Sequence, residues 1–282
     1  MKKRIIFLLF ATAVLLWILW GNTALELNTY TIVSRKLPEA FSGFRIAHIS
    51  DLHNARIGTE NQKLLQLLTE AAPDMIVITG DFVDSRKTDL AVASDFAAAA
   101  AAMAPCYYVT GNHEARLSGD VYSELEAALT QAGVTILHNE TVAFRREAAE
   151  ILITGLDDPS FGGYTGIFAS LPGTGGQVPA ADDTEGYQIL LSHRPELFRQ
   201  YVQAGFDLVF SGHAHGGQFR LPWLGGVIAP NQGLFPEYDG GLYTDGSTNM
   251  LLSRGIGNSI FPFRVNNRPE VILAVLEHAS GN

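Results

Sequence analysis

Five of the eight histidines in this 282-residue chain lie in short clusters of histidine, aspartate or asparagine, or alone, at the ends of strand-like runs. Each cluster follows a run of apolar or β-branched residues that reads as a buried strand. Arg45 to Ser50 runs into Asp51-Leu52-His53, and Met75 to Thr79 runs through Gly80 into Asp81, with Asp84 three residues on. Tyr107 to Thr110 ends in Gly111-Asn112-His113-Glu114, Gln188 to Ser192 ends in His193, and Leu208 to Ser211 ends in Gly212-His213-Ala214-His215. A strand, a glycine and an aspartate are together a weak signal, since many such aspartates only cap a turn. Recurrence along one chain is what carries weight, because ligands in α/β sheets gather at the C-terminal ends of strands. Imidazole, carboxylate and amide donors converging from several strand ends make a site for one or two transition-metal ions. Nitrogen and oxygen donors suit Mn, Fe, Zn or Co and disfavour copper(I), and the sequence does not choose among the four.

The ordered set Asp-x-His, Gly-Asp-x-x-Asp, Gly-Asn-His-Glu, a lone His and Gly-His-x-His resembles the calcineurin-like metallophosphoesterases. The flanks IAHISDLH, VITGDFVD, YYVTGNHE, LLSHRPE and SGHAHGGQ are similar to its membrane-associated bacterial branch, the YkuE/YaeI type. The likeness runs from about Leu37 to Glu277, with every ligand position filled. It implies one metal on Asp51, His53, Asp81 and His215, and a second on Asp81, Asn112, His193 and His213. Asp81 would bridge the two. A shared anion is physically sensible, because two cations about 3.5–4 Å apart repel. His213 and His215, two apart on an extended segment, are expected to point the same way. The implied reaction is hydrolysis of phosphate mono- or diesters by in-line attack of a metal-bridging hydroxide. His113 would assist the leaving group, as general acid or by stabilising charge. A pyrophosphatase or phosphodiesterase acting on a lipid-linked or nucleotide-sugar lipid substrate is the alternative. A non-catalytic binding module of the same fold would be expected to lack a ligand histidine or the acid, and here His113, His193, His213 and His215 are all present.

Around these residues the roles are looser. Asp84 and Glu114 are expected either to orient His113 or a metal ligand or merely to cap helices. Arg254 and Arg264 are candidate phosphate contacts, with surface ion pairing as the plainer reading. His48 lies inside a strand and reads as structural, and His138 and His278 belong to no motif. Asp157-Asp158-Pro159 reads as a turn. Gly216, Gly217 and Gln218 are expected to shape the bend after the ligands. Trp223, Leu224, Val227, Ile228, Leu234 and Phe235 read as a core hairpin, or else as an apolar rim facing a membrane or a lipid tail.

The elements that must position the clusters alternate at first and then become mostly strands. Leu25 to Val33 reads as a strand; Asn61 to Ala72, stopped by Pro73, reads as an amphipathic helix. Asp89 to Ala104 and Ser118 to Ala132 are further helices, the latter closed by Gly133. Val134 to Leu137 and Ile151 to Gly155 read as strands, with a hairpin turn over Arg145 to Glu150. Residues 157–186 read as a surface insertion, Pro195 to Ala204 as a helix, and Met250 to Ser253 and Val271 to Glu277 as late strands. The pattern gives an α/β class. The resemblance narrows it to a four-layer αββα sandwich, two mixed sheets flanked by helices, preceded by one transmembrane helix.

That helix is expected from Ile5 to Trp20, an apolar run behind Lys2, Lys3 and Arg4. Trp17 and Trp20 at its far end, with no good small-x-small cleavage site after it, favour an uncleaved anchor over a signal peptide. Residues 1–24 would then be the anchor and 25–282 the phosphoesterase domain. The positive-inside rule leaves the domain outside the cytoplasmic membrane. The formal charge is −10, and without the three leading cations it is −13. So acidic a body argues against generic binding of nucleic acid. Expected partners are therefore a phosphoester substrate and the membrane, and no protein partner can be inferred. The single cysteine, Cys106, reads as a core residue and excludes a disulfide framework.

Overall fold

The chain is described by a computed structural model over residues 2–162 and 186–280. Helix α1 spans Lys2–Thr23, and strands β1 (Glu26–Ser34) and β2 (Phe44–Ile49) follow. Then come α2 (Gln62–Ala71), β3 (Met75–Thr79), α3 (Leu90–Ala101), β4 (Cys106–Val109), α4 (Gly119–Gln131) and β5 (Thr135–Ile136). The second half holds β6 (Glu140–Arg146), β7 (Ala149–Gly155), β8 (Tyr187–Leu191), α5 (Phe198–Gln203) and β9 (Leu208–Ser211). Two minimal hairpins come next, β10 (Arg220–Leu221) with β11 (Gly225–Gly226) and β12 (Ile228–Ala229) with β13 (Gly233–Leu234). Strands β14 (Gly241–Asp245), β15 (Thr248–Leu252) and β16 (Glu270–His278) complete the fold.

One sheet has the order β1-β16-β2-β3-β4-β5 and the other β14-β15-β9-β8-β7-β6. Both are mixed. In the first, β2 to β5 are parallel and β16 runs against β2; in the second, β7, β8, β9 and β15 are parallel and the outer strands run against them. Alternation of side chains decides the layers. Ile46, Met75, Val77, Ile189, Leu208 and Phe210 fill the space between the sheets. Ala47, Ile76 and Ile78 face the other way and pack on Leu64, Leu68, Phe96 and Leu125 from α2, α3 and α4. Leu190, Val209 and Met250 face Phe198 and Tyr201 on the far side. The expected four layers are present. Because β3, β8 and β9 are covered on both faces, their sequences carry no alternation.

Two details of the elements differ from expectation. The strand after α4 holds only Thr135–Ile136, and the turn between β6 and β7 is tighter than Arg145 to Glu150, since those two residues pair in the ladder. The 157–186 segment lies outside the described residues from 163 to 185, and the part before it is ordered around the site. His138, assigned to no motif, ties α4 to the strand ends. Its Nε2 is 2.8 Å from Glu126 and its Nδ1 is 2.9 Å from Asp157, which also accepts the Thr110 hydroxyl at 2.9 Å.

The Asp157 hydrogen bond, ahead of opposing burial and with the charges of Asp157 and Glu126, pushes the His138 imidazole up to about 9. Its stabilisation is therefore full below the unfolded value near 6.5 and is lost as pH climbs through about 9. The ring is 42% exposed, so solvent screening holds the effect below about 1 kcal/mol. Melting curves of the parent and His138→Gln proteins should converge between pH 6.5 and 9. A constant gap across that range would show that the pair is not charge-linked.

Candidate metal centre

Five of the seven expected ligands have left-handed backbone: Asp51 (φ 51°), His53 (45°), Asp81 (49°), His213 (70°) and His215 (48°). Non-glycine residues there cost roughly 1–3 kcal/mol each and persist only where their surroundings over-determine them. The bonds that hold them are visible. Asp51 accepts the His213 backbone N–H at 3.1 and 3.2 Å, and Asp81 Oδ1 accepts that of His113 at 2.7 Å. The Glu114 carboxylate takes four backbone N–H groups, those of Asp81 (2.9 Å), Phe82 (2.7 Å), Val83 (3.2 Å) and Gly111 (2.7 Å). Two glycines make the close approach possible. A Cβ on Gly111 would strike the Asp81 backbone and carboxylate, and one on Gly212 would strike Ser50 and Asp51. The extended His213–His215 segment expected from the sequence is a correction. Ala214 is right-handed between two left-handed histidines, so the pair is splayed by a turn.

The splay sends the two imidazoles to different groups. Asp51, His53, Asp81 and His215 place ligand atoms within 4.8 Å of one another, and so do Asp81, His193 and His213. Strands β2 and β3 of one sheet thus meet β8 and β9 of the other through their C-terminal turns. Asp81 belongs to both groups, its Oδ2 lying 3.5 Å from His53 Nε2 and 3.3 Å from His193 Nε2. Within the groups, His53 and His215 approach Nε2 to Nε2 at 3.2 Å, and His213 Nδ1 is 3.1 Å from His193 Nε2.

Proton placement follows from fixed partners. His193 Nδ1 is 2.6 Å from the Thr79 carbonyl, which only accepts, so the proton sits on Nδ1 and Nε2 faces the cluster. Burial opposes charge on His193, but Asp81, by charge and by hydrogen bond, and then Asp51 and Asp158 lift it to about 10. A divalent cation would feel the same carboxylate field. Burial holds His53 and His215 down at about 3, and it holds His213 well below 6.5, helped by the neighbouring His193 and Arg194. Neutral imidazole is the ligating form. Asn112 Oδ1 and His53 Nδ1 are buried and have no hydrogen-bond partner among the described residues. An orphaned buried acceptor costs about 1–3 kcal/mol, which a cation beside Asn112 would offset. The donor set therefore fits two hard-to-borderline metal ions.

The centre lies in the wall of a cavity of about 670 Å³ lined by Asp81, Asn112, His113, Arg116, Arg194 and His213, among others. The Ser85 backbone N–H donates to His113 Nδ1 at 3.0 Å, so the ring proton is on Nε2, which lies 3.2 Å from Ser259 Oγ. Asp84 is 3.8 Å from His113 Nδ1 and is bound by the Arg86 guanidinium at 2.9 Å. His48 Nε2 is 2.7 Å from Thr79 Oγ1, inside the sheet.

Neither arginine proposed from the sequence as a phosphate contact lines this cavity. Arg254 is held by Glu26 at 2.5 Å and Glu270 at 2.7 Å. Arg264 is buried, donates to the Gly257 and Arg254 carbonyls, and stands 3.4 Å behind His215 Nδ1. Two other arginines line the cavity, and sequence reasoning missed both: the exposed Arg116 and the buried Arg194. Asp158 holds the Arg194 fork at 2.5 and 2.8 Å, and Nη1 is 2.8 Å from His213 Nε2. Asp158 is thus a buried partner and not only a turn residue. The available signal was adjacency, since Arg194 directly follows His193.

A family model described as calcineurin-like phosphoesterase matches residues 44–217. Metallophosphoesterase YkuE of Bacillus subtilis (strain 168) is 32% identical over 264 residues, covering 90% of this chain and 86% of that protein. A Danio rerio transmembrane protein with metallophosphoesterase domain is 33% identical over 256 residues, covering 86% of this chain and 55% of that protein. Phosphodiesterase YaeI of Escherichia coli (strain K12) is 27% identical over 236 residues, covering 83% and 82%. The chain belongs to the calcineurin-like phosphoesterases and is a metal-dependent hydrolase of phosphoric esters.

Proposed function

We propose that the protein hydrolyses phosphate mono- or diesters with two metal ions. Asp51, His53, Asp81 and His215 would hold one ion, and Asp81, Asn112, His193 and His213 the other. The observation that carries this reading is Asp81, a single carboxylate shared by both histidine groups. When bound, such a pair supplies Lewis acidity to phosphoryl oxygens and hydroxide at neutral pH. Arg194, oriented by Asp158, offers the cavity a guanidinium for a non-bridging phosphate oxygen. Water adds to phosphorus as the ester P–O bond breaks, and the departing oxygen gathers charge.

His113 is the group for that oxygen. Because Nδ1 already accepts the Ser85 N–H, the neutral ring presents Nε2–H. Burial also lowers its pKa, favouring the neutral form. His113 therefore acts by donating a hydrogen bond to the developing oxyanion. His113→Ala should keep both metals and lower kcat by roughly 10²–10³-fold on an alkyl ester. An aryl ester, whose leaving group needs less help, should lose least. Metal depletion with equal losses on both esters would make His113 a ligand or a packing residue.

Helix α1 has 22 residues, of which an 18-residue stretch has mean hydropathy 2.2 and no burial, long and apolar enough to cross a membrane. We read it as an anchor, with Lys2, Lys3 and Arg4 inside and the catalytic domain outside the cytoplasm. Protease added to intact spheroplasts should digest the domain; full protection would reverse the orientation.

A further inference from the structure

The end of α1 and the apolar wall of the cavity belong to one structural unit. Asn22, in the last turn of α1, accepts the Arg264 backbone N–H at 2.7 Å and donates to the Arg264 carbonyl at 2.9 Å. The Arg268 guanidinium lies over the Trp20 ring at 4.8 Å. So α1 is docked on the 258–268 segment. That segment is stitched in turn to the β10–β13 hairpins. Gln218 donates to the Phe261 and Phe263 carbonyls at 3.3 and 2.7 Å, and the Phe219 ring meets those of Phe261 and Phe263 at 5.3 and 5.7 Å. Ile228, Pro230, Ile260 and Phe261, from these same two segments, line the cavity.

Their tips carry apolar side chains that the fold does not cover. Trp223 is fully exposed, Ile260 is 74%, Leu234 68% and Leu224 67% exposed. Scattered exposed apolar residues are ordinary, but a group of them on the two segments that also line the cavity marks an interaction surface. The occupant follows from α1. Its 22 residues span about 33 Å, close to the hydrocarbon thickness of a bilayer. Trp17 and Trp20 would sit at the interface, and Trp20 is at the docking point. A bilayer that receives α1 therefore reaches its headgroup level beside the 258–268 segment and the hairpins joined to it.

We propose that the apolar tips at 221–224, 234–235 and 260–263 embed in the leaflet that α1 enters. The cavity mouth then opens at headgroup level, and the substrate is a phosphoester carried on a lipid. The second half of this rests on the phosphoesterase reading above. The first does not.

The test uses the full chain in vesicles of phosphatidylcholine and phosphatidylglycerol containing a doxyl-labelled lipid. Trp223→Cys, Leu234→Cys and Ile260→Cys proteins are labelled with an environment-sensitive fluorophore; Cys106 is buried and leaves the introduced thiol as the accessible one. Glu147→Cys, on the β6–β7 turn at the end of its sheet away from the site, is the reference. Doxyl lipid should quench the three tip positions several-fold more than the reference. Equal quenching at all four positions overturns the proposal and leaves the tips to a protein partner. Trp223→Ser/Leu224→Ser/Leu234→Ser, none of which lines the cavity, should keep the rate on a water-soluble aryl phosphoester. It should lose about tenfold or more on a vesicle-borne phospholipid, as fewer apolar groups bury in the acyl boundary. An unchanged rate on that phospholipid overturns the substrate half. If the parent protein hydrolyses neither ester, the phosphoesterase reading fails with that half, while the quenching still decides where the tips lie.

Discussion

Asp81→Asn is expected to leave the purified protein with little bound metal and at least about 10³-fold less hydrolysis, since each 1.36 kcal/mol of lost stabilisation is tenfold and a metal's Lewis acidity is worth several. The substitution is nearly isosteric, so the turn should survive. Oδ1 accepts the His113 N–H at 2.7 Å, a bond an amide oxygen can still make. What changes is charge at Oδ2, the atom facing both His53 and His193. A neutral bridge no longer offsets the repulsion between two cations. It also removes the main influence that opposes burial at His193. His53→Ala removes a donor from one group only and should mainly weaken one ion. Elemental analysis beside a phosphoester assay reads both outcomes. Two metals per chain and full activity in Asp81→Asn would dismantle the ligand scheme.

The site was legible because its donors are encoded locally. A buried strand, a glycine and a donor residue fit within about ten residues, and the order of such segments identified the family. Two features were not legible. The first is conformation: nothing in Gly-His-Ala-His announces that both histidines are left-handed, because their backbone is fixed by Asp51, which lies 162 positions away and accepts the His213 N–H. The second is distant charge pairing. Arg194 and Asp158 are 36 positions apart, and Arg254 is claimed by Glu26 and Glu270 at opposite ends of the chain. An arginine near a ligand motif carries no mark of whether a carboxylate already holds it. The layers of the fold were legible from uniformly apolar β3, β8 and β9, whereas β10 to β13, of two residues each, have no periodicity to read.

Glu114 draws both lessons together, since its place in Gly-Asn-His-Glu was visible and its task was not. It was expected to orient His113 or to cap a helix. A cap satisfies one donor, and removing it costs about 1 kcal/mol. Here one fully buried carboxylate binds the N–H groups of Asp81, Phe82, Val83 and Gly111. Burial and the Asp81 charge push its pKa up to about 7, against the Gly111 and Val83 N–H groups that favour the anion. Glu114→Ala leaves four buried donors without an acceptor in the turn that carries Asp81. With bonds to charged groups worth about 1.5–3 kcal/mol each, a loss of roughly 4 kcal/mol or more is expected, even if water enters the space. At about 2–4 °C per kcal/mol that is a fall in Tm on the order of 10 °C. Glu114→Gln keeps the shape but turns an NH₂ toward two of the donors, so it should destabilise nearly as much. Asp84→Asn is the contrast, because its Arg86 partner is half exposed and the pair should be worth less than about 1 kcal/mol. Thermal melts of the three full-length variants in detergent compare them directly. A Glu114→Ala protein melting beside Asp84→Asn would show that the carboxylate does not hold the left-handed turn, and the strain at Asp81 would then have to be sustained by the metal ligands themselves.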